Sequence, residues 1–150
     1  MGGYGGAGKS IARLLLKETD LDLIIAGRHT DLALSFSNNL NREFGGRTNE
    51  AYVDASNPAS LSSAFRDVDV VIAASTTTQY AESTARAALT AGIDYLDIHH
   101  PQNIFPVLMR MAKEIEDAGL CFITQAGFHP GLPSVLPDGL RGISHATGRQ

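Results

Sequence analysis

The chain has 150 residues, a formal net charge of −4 and 43% hydrophobic residues, which suits one globular α/β domain and leaves little room for a second. Without a basic stripe to neutralise phosphates, a nucleic-acid partner is not expected. No apolar run approaches the roughly 20 residues of a membrane span, and the first residues do not form a signal peptide. The single cysteine, Cys121, excludes an internal disulfide, is expected to be buried and inert, and favours a cytoplasmic location.

Apolar spacing alternates between helical and extended periods along most of the chain. The first helix presents Ile11, Leu14 and Leu15 as its apolar face. The second is capped by Thr30 or Asp31, the third begins at Asn57-Pro58, and the fourth, 79–91, ends at Gly92. Strands are predicted between the helices, at residues 21–26, 50–53, 69–74, 93–98 and 120–124.

Alternation of strands and helices with short connections predicts right-handed crossovers and a doubly wound parallel sheet of the Rossmann type. The predicted strands correspond to the second through sixth of a six-stranded dinucleotide-binding fold, since only Met1 precedes the glycine run. The first strand of that fold lies centrally, so its absence predicts two partial sheets facing a gap. We expect a fragment, with 1–124 an N-terminally truncated NAD(P)-binding domain and 125–150 the start of the connection to a missing substrate domain.

The pattern Gly3-x-Gly5-x-x-Gly8 fits the dinucleotide fingerprint. The first glycine permits the tight turn, the second lets the backbone approach a pyrophosphate, and the third permits close packing of the helix. The amides that open the following helix would then face the diphosphate. Tyr4, inside this run, either covers the diphosphate or occupies a tolerated loop position.

The same run also matches the P-loop pattern Gly-x-x-x-x-Gly-Lys-Ser through Gly3, Gly8, Lys9 and Ser10. In that interpretation Lys9 reaches the phosphates of a nucleoside triphosphate and Ser10 holds magnesium. A P-loop site also needs an acid at the end of a later strand. The best later strand, 69–74, ends without one, although two other strands end in aspartate, so a P-loop hydrolase is the less favoured alternative.

Arg28 favours NADP over NAD. In a dinucleotide fold the end of the second strand reads the adenosine ribose, and an acid there binds the 2′-hydroxyl of NAD. This chain instead has Arg28, with His29 beside it. A guanidinium can hold a phosphate at two points, and one charge-assisted bond of ~1.5–3 kcal/mol corresponds to roughly a tenfold to hundredfold preference. The alternative is an ordinary exposed arginine.

Six segments form an ordered series: the glycine run, 26–28, 52–55, 69–74, 92–97 and 127–131. In this order they resemble the NADP-binding domain of the saccharopine dehydrogenase/reductase-like family. The resemblance implies hydride transfer between a nicotinamide cofactor and a small-molecule substrate held by a following domain. It implies that Gly3, Gly5, Gly6 and Gly8 contact the diphosphate, Arg28 the 2′-phosphate, Asp54 the adenine side, and Ser75 and Thr76 the nicotinamide half. Tyr4, Ala7 and His29, which are next to these residues in the sequence, are also predicted to belong to the cofactor site.

No catalytic acid or base can be assigned from these residues. Asp97, His99 and His100 follow one strand end and His129 follows the next, so they can share a rim near the nicotinamide, where a histidine could move a proton. Solvated loop histidines are the alternative. Adjacent histidines on extended chain point apart, and no metal site is expected.

Two further alternatives stay open. The hydroxyls of 75–78 either bond the cofactor or cap the next helix. The chain as a whole either belongs to an active oxidoreductase or is an NADP-binding or sensing module without turnover. A homodimer is a possible assembly.

Overall fold

The computed structural model describes residues 1–99 and 104–127. Helices and strands alternate along that part of the chain, and the predicted alternation is therefore confirmed. His100, His129 and the end of the chain from residue 128 lie outside the described residues. The elements in chain order are α1 Gly6–Glu18, β1 Leu23–Gly27, α2 Thr30–Phe44, β2 Thr48–Tyr52, α3 Pro58–Ala64, β3 Val70–Ala73, a 3₁₀ turn Thr78–Tyr80, α4 Ala81–Ala91, β4 Asp94–Asp97, α5 Ile104–Asp117 and β5 Phe122–Ile123.

All strand pairs are parallel, as expected for strands joined through helices. β1 pairs with β2, while β3, β4 and β5 form a second sheet in that order. The doubly wound, Rossmann-like architecture is confirmed. Within the described residues β1 and β3 do not pair with each other, which agrees with the two partial sheets expected from the sequence.

Met1 and Gly2 lie between the two sheets. The Met1 amino group donates to the Ile72 carbonyl at 2.6 Å, and the Met1 carbonyl accepts from the Ala74 amide at 2.9 Å, which is the pattern of a parallel β-bridge. On the other side, the Gly2 amide donates to the Ala26 carbonyl at 2.8 Å. These first two residues therefore connect β1 to β3 through the main chain.

The core has two parts. The larger lies between the β3–β5 sheet and helices α3, α4 and α5, and includes Leu61, Ala85, Tyr95 and Met111. The smaller lies between α1, α2 and β1, around Leu16, Phe36 and Leu40. None of the helices that the structure describes is long and apolar enough to cross a membrane.

The apolar face of α1 differs from the prediction. Its buried residues are Gly8, Ala12 and Leu16, whereas Leu14 is 60% exposed. Ile11 and Leu15 instead line a groove of about 70 Å³ beside the gap between the sheets. The sequence indicated an amphipathic helix correctly, but periodicity alone does not show which apolar stripe faces the core.

The predicted ends of α3 and α4 are confirmed, whereas the predicted cap of α2 and the predicted burial of Cys121 are wrong. The Asn57 side chain caps α3 as predicted, accepting from the amides of Ala59 and Ser60, and Gly92 ends α4 in the left-handed region at φ +70°. The caps proposed for α2 are wrong, because His29 is its N-cap residue and provides no side-chain bond. Cys121 is exposed rather than buried, since it comes before the short edge strand β5 instead of inside it.

Filling the gap between the sheets with a strand should raise the thermal stability of the chain. A chain carrying about six apolar, β-branched residues before Met1 should pair with both β1 and β3 and cover the adjacent groove. We expect its melting temperature to rise by more than about 5 °C in calorimetry. A Gly-Ser extension of equal length should give no comparable rise. Equal melting temperatures for the two extended chains would contradict the expectation.

The Met1 amine makes a second prediction. Burial lowers the pKa of this amino group from 8.0 to about 6. Between those values the unfolded amine carries a proton that the folded one lacks, so stability should increase by about 2 kcal/mol as pH rises from 6 to 8. Urea unfolding of the free and N-acetylated chains measures this, because acetylation removes the charge and retains the N–H. The expectation fails if both chains have the same pH dependence.

Candidate functional site

A cavity of about 830 Å³ lies at the carboxyl ends of the strands, the edge where ligands bind open α/β sheets. The loops that follow the strands, and the turn before α1, form its walls. The lining comes from every strand end from β1 to β4, and its main segments are Gly2, 4–7, 27–28, 53–56, 74–80 and 98–99.

The glycine turn forms the centre of one wall. The Gly5 amide donates to the Gly2 carbonyl at 3.0 Å, which closes the turn, and α1 begins at the next residue. Gly5, the N-cap residue, has no side chain to cap the helix, and the first turn contains no acid. The opening amides of α1, at the positive end of the helix, are therefore available to a ligand oxyanion beside Gly6 and Ala7.

Gly3 and Gly8 lie behind the turn and do not line the cavity. A Cβ at Gly8 would be 2.3 Å from the Gly2 carbonyl oxygen and 2.8 Å from the Gly3 Cα. At Gly3 it would be 3.2 Å from the Ile25 side chain. Both glycines therefore allow α1 and β1 to pack against the turn, and the structure gives them a packing position rather than a ligand-facing one.

Lys9 and Ser10 do not form a P-loop arrangement. The Lys9 ammonium lies 5.7 Å from the centre of the Phe36 ring, between α1 and α2, and the Ser10 hydroxyl donates to the Gly6 carbonyl within the helix. Neither residue lines the cavity. Lys9, which would have to reach the nucleotide phosphates of a P-loop site, therefore lies against α2 and away from the cavity.

Arg28 and Asp54 come together at one end of the cavity, after β1 and β2. The Asp54 carboxylate accepts from the Ser56 hydroxyl at 2.7 Å and from the Ser56 amide at 2.9 Å. These bonds, with the nearby positive charge of Arg28, lower the pKa of Asp54. Ser56, which no motif in the sequence indicated, thus fixes the carboxylate while Arg28 remains exposed.

His29 does not line the cavity. Its amide donates to the Tyr4 hydroxyl at 3.1 Å, and the Tyr4 ring lies against Gly27. Tyr4 therefore extends from the glycine turn toward the Arg28 end of the cavity. The signal for this contact was available in the sequence, because the residue before Arg28 is a glycine and leaves room for a ring.

Ser75 and Thr76 lie at the opposite end of the cavity, after β3. The Ser75 and Thr77 hydroxyls are 2.6 Å apart, and the Ser75 carbonyl is 2.9 Å from His99 Nε2. Because a carbonyl only accepts, that ring nitrogen carries the hydrogen. His99, with its side chain buried, therefore holds the loop after β3 in place.

Asp97 is fully buried below this end and does not line the cavity. Its carboxylate accepts from the hydroxyls of Tyr95 and Thr124 and from the amides of His99 and Gln125. Burial and the Asp97 charge raise the pKa of Tyr95. Asp97 thus ties β4 to β5. The alternation Tyr95-x-Asp97-x-His99 was a sequence signal for such a network, since residues two apart share one face of a strand.

Eight of the expected cofactor residues line this single cavity, which are Tyr4, Gly5, Gly6, Ala7, Arg28, Asp54, Ser75 and Thr76. The segment 77–80 and Ser56 join them without having been predicted. Among residues 1–99 and 104–127 no three metal-ligating side chains converge. The arrangement offers main-chain donors in the middle, a cation at one end and hydroxyls at the other.

Comparison with known proteins agrees with this geometry. The family model described as the saccharopine dehydrogenase NADP binding domain matches residues 1–123. A search of curated proteins gave no significant match. Among solved structures, apo saccharopine dehydrogenase (L-Glu forming) from Saccharomyces cerevisiae aligns with a TM-score of 0.65 and 19% identity, over 93% of this chain and 29% of the yeast chain.

Other similar structures include a reductase and an alcohol dehydrogenase. Citrobacter sp. triphenylmethane reductase complexed with NADP(H) gives a TM-score of 0.58 at 18% identity, over 82% of this chain and 46% of its own. An alcohol dehydrogenase from the archaeon Thermococcus sibiricus complexed with 5-hydroxy-NADP gives 0.60 at 18% identity, over 82% and 72%. At such identities the likeness shows the fold. The chain spans less than half the length of the yeast and Citrobacter proteins.

The two kinds of glycine can be separated experimentally. Gly8→Ala should lower the unfolding free energy by at least ~2 kcal/mol, because its methyl would overlap the turn backbone. Gly6→Ala should leave stability unchanged or raise it by up to about 1 kcal/mol, because a Cβ there meets no atom within 4 Å. Gly6→Ala should weaken NADPH binding more than roughly tenfold, since Gly6 lines the cavity and the backbone there is expected to approach the diphosphate closely. Urea unfolding and fluorescence titration test both, and equal stability losses would contradict the distinction.

Proposed function

The chain belongs to the saccharopine dehydrogenase NADP binding domain family, its cofactor is accordingly NADP, and we propose that it binds this cofactor for hydride transfer in an oxidoreductase. The cavity beyond the strand ends is the proposed site. The single observation that carries the proposal is the uncapped start of α1 in the middle of that cavity, with Arg28 at one end and Ser75 at the other.

The residues present fit the cofactor. At the centre, free amides and the absence of side chains at Gly5 and Gly6 let a diphosphate approach the backbone. The Arg28 guanidinium provides the charge that a 2′-phosphate requires and a 2′-hydroxyl does not. We place the adenine beside Asp54 and the nicotinamide half beside Ser75 and Thr76.

Bound NADPH would supply the hydride, and the chain's own residues would bind and orient it. The main chain of the glycine turn holds the diphosphate, while the loop after β3, fixed by His99, sets the position of the nicotinamide half. We propose that a small-molecule substrate is held by a further domain, in agreement with the share of the longer yeast and Citrobacter proteins that this chain covers.

A module that binds NADP without turnover is the second candidate. Its support is chemical, because His99, the described histidine that contacts the loop after β3, already uses Nε2 on the Ser75 carbonyl. Reductase activity in the presence of a substrate domain would exclude this candidate. We further propose a cytoplasmic location, where the exposed Cys121 thiol would stay reduced, while a homodimer stays a prediction.

Replacement of Arg28 tests the cofactor preference. Arg28→Ala should weaken NADPH binding roughly tenfold to a hundredfold and leave NADH binding unchanged, because only NADPH carries the 2′-phosphate. Titration of both reduced cofactors, followed by fluorescence, measures the ratio of their dissociation constants.

Arg66→Ala is the matched control, because Arg66 is also exposed and does not line the cavity. It should retain the NADPH preference of the unmodified chain. An NADPH preference that survives Arg28→Ala would contradict the assigned role of Arg28, and failure of the unmodified chain to bind either cofactor would overturn the proposed function.

A further inference from the structure

The Tyr4 side chain joins the glycine turn to the end of β1. Its hydroxyl accepts a hydrogen bond from the His29 amide at 3.1 Å. Its ring packs so closely on Gly27 that an added Cβ there would be 2.5 Å from both the ring edge and the hydroxyl oxygen. Two contacts therefore fix the ring, and both are made to the residues on either side of Arg28.

The Tyr4 hydroxyl still has a hydrogen-bond donor that no described residue uses. A phenol carries one hydrogen to donate and lone pairs that accept. The His29 amide uses an acceptor position, and the phenolic hydrogen has no acceptor among the residues described by the structure. Tyr4 and Arg28 line the same cavity. The hydroxyl is therefore a positioned hydrogen-bond donor at the cavity surface.

From this geometry we propose that Tyr4 donates a hydrogen bond to the 2′-phosphate of NADP and acts with Arg28 as a specificity-determining residue. The proposal rests on the proposed function and deepens it. A charged phosphate oxygen accepts a stronger hydrogen bond than a neutral ribose hydroxyl, so a bond from Tyr4 would favour NADP over NAD. The two donors arrive from different segments, the turn before α1 and the end of β1.

The N-terminus of α2 supports the same assignment. His29 is the N-cap residue of this helix and gives it no side-chain cap, so the positive end of the helix lies beside Tyr4 and Arg28. Asp31, in the first turn of α2, and Asp54, at the same end of the cavity as Arg28, are the nearby acids. An oxyanion beside Tyr4 and Arg28 is therefore also attracted by the positive end of α2.

Tyr4→Phe tests the proposal with the ring contact on Gly27 preserved. It should weaken NADPH binding by roughly tenfold, as expected for loss of a bond to a charged acceptor, and change NADH binding less than about twofold. The same selectivity should appear with fragments, as weaker binding of adenosine 2′,5′-bisphosphate and unchanged binding of AMP. Tyr52→Phe is the matched control, because Tyr52 is 54% exposed, does not line the cavity and should leave all four affinities unchanged.

Gly27→Ala provides an independent test, because its methyl displaces the Tyr4 ring without removing the hydroxyl. It should reproduce the selective loss of NADPH binding, and circular dichroism checks that the variant is folded. Equal losses for NADPH and NADH in Tyr4→Phe, or no loss for either, would overturn the role of Tyr4. If Arg28→Ala abolishes the NADPH preference while Tyr4→Phe retains it, the proposed function stands and this inference alone fails.

Discussion

The structure depends on the main-chain bonds made by Met1 and Gly2. These residues bond to Ile72 and Ala74 on one side and to Ala26 on the other, across the gap between β1 and β3. The same two residues lead into the glycine turn, so the position of the cavity wall depends on how firmly the sheets are joined. A few hydrogen bonds of about 1 kcal/mol each provide a weak connection compared with a full strand.

The loops that form the cavity are held in place by hydrogen bonds from side chains and main-chain amides. Asp97 gathers donors from β4 and from the chain after β5, and His99 continues this network to the Ser75 carbonyl. At the other end Tyr4 and Ser56 hold the segments that carry Arg28 and Asp54. Buried or paired polar side chains thus set the geometry, while the exposed groups remain available to a ligand.

The family assignment and the site geometry are separate observations, and both are consistent with an NADP site. The family model covers residues 1–123 and identifies the cofactor. The structure adds where each group lies, including the absence of Lys9 from the cavity wall, which removes the main support for a nucleoside triphosphate site.

The sequence by itself determined the order and type of the elements, the parallel Rossmann-like sheet and the loops that meet at the cavity. Those features follow from local periodicity, turn glycines and the topology rule for parallel strands. Only the tertiary structure decided which stripe of α1 is buried, that Gly3 and Gly8 pack behind the turn, and that Lys9 lies away from the cavity. These depend on contacts between segments distant in the chain, which no local pattern encodes.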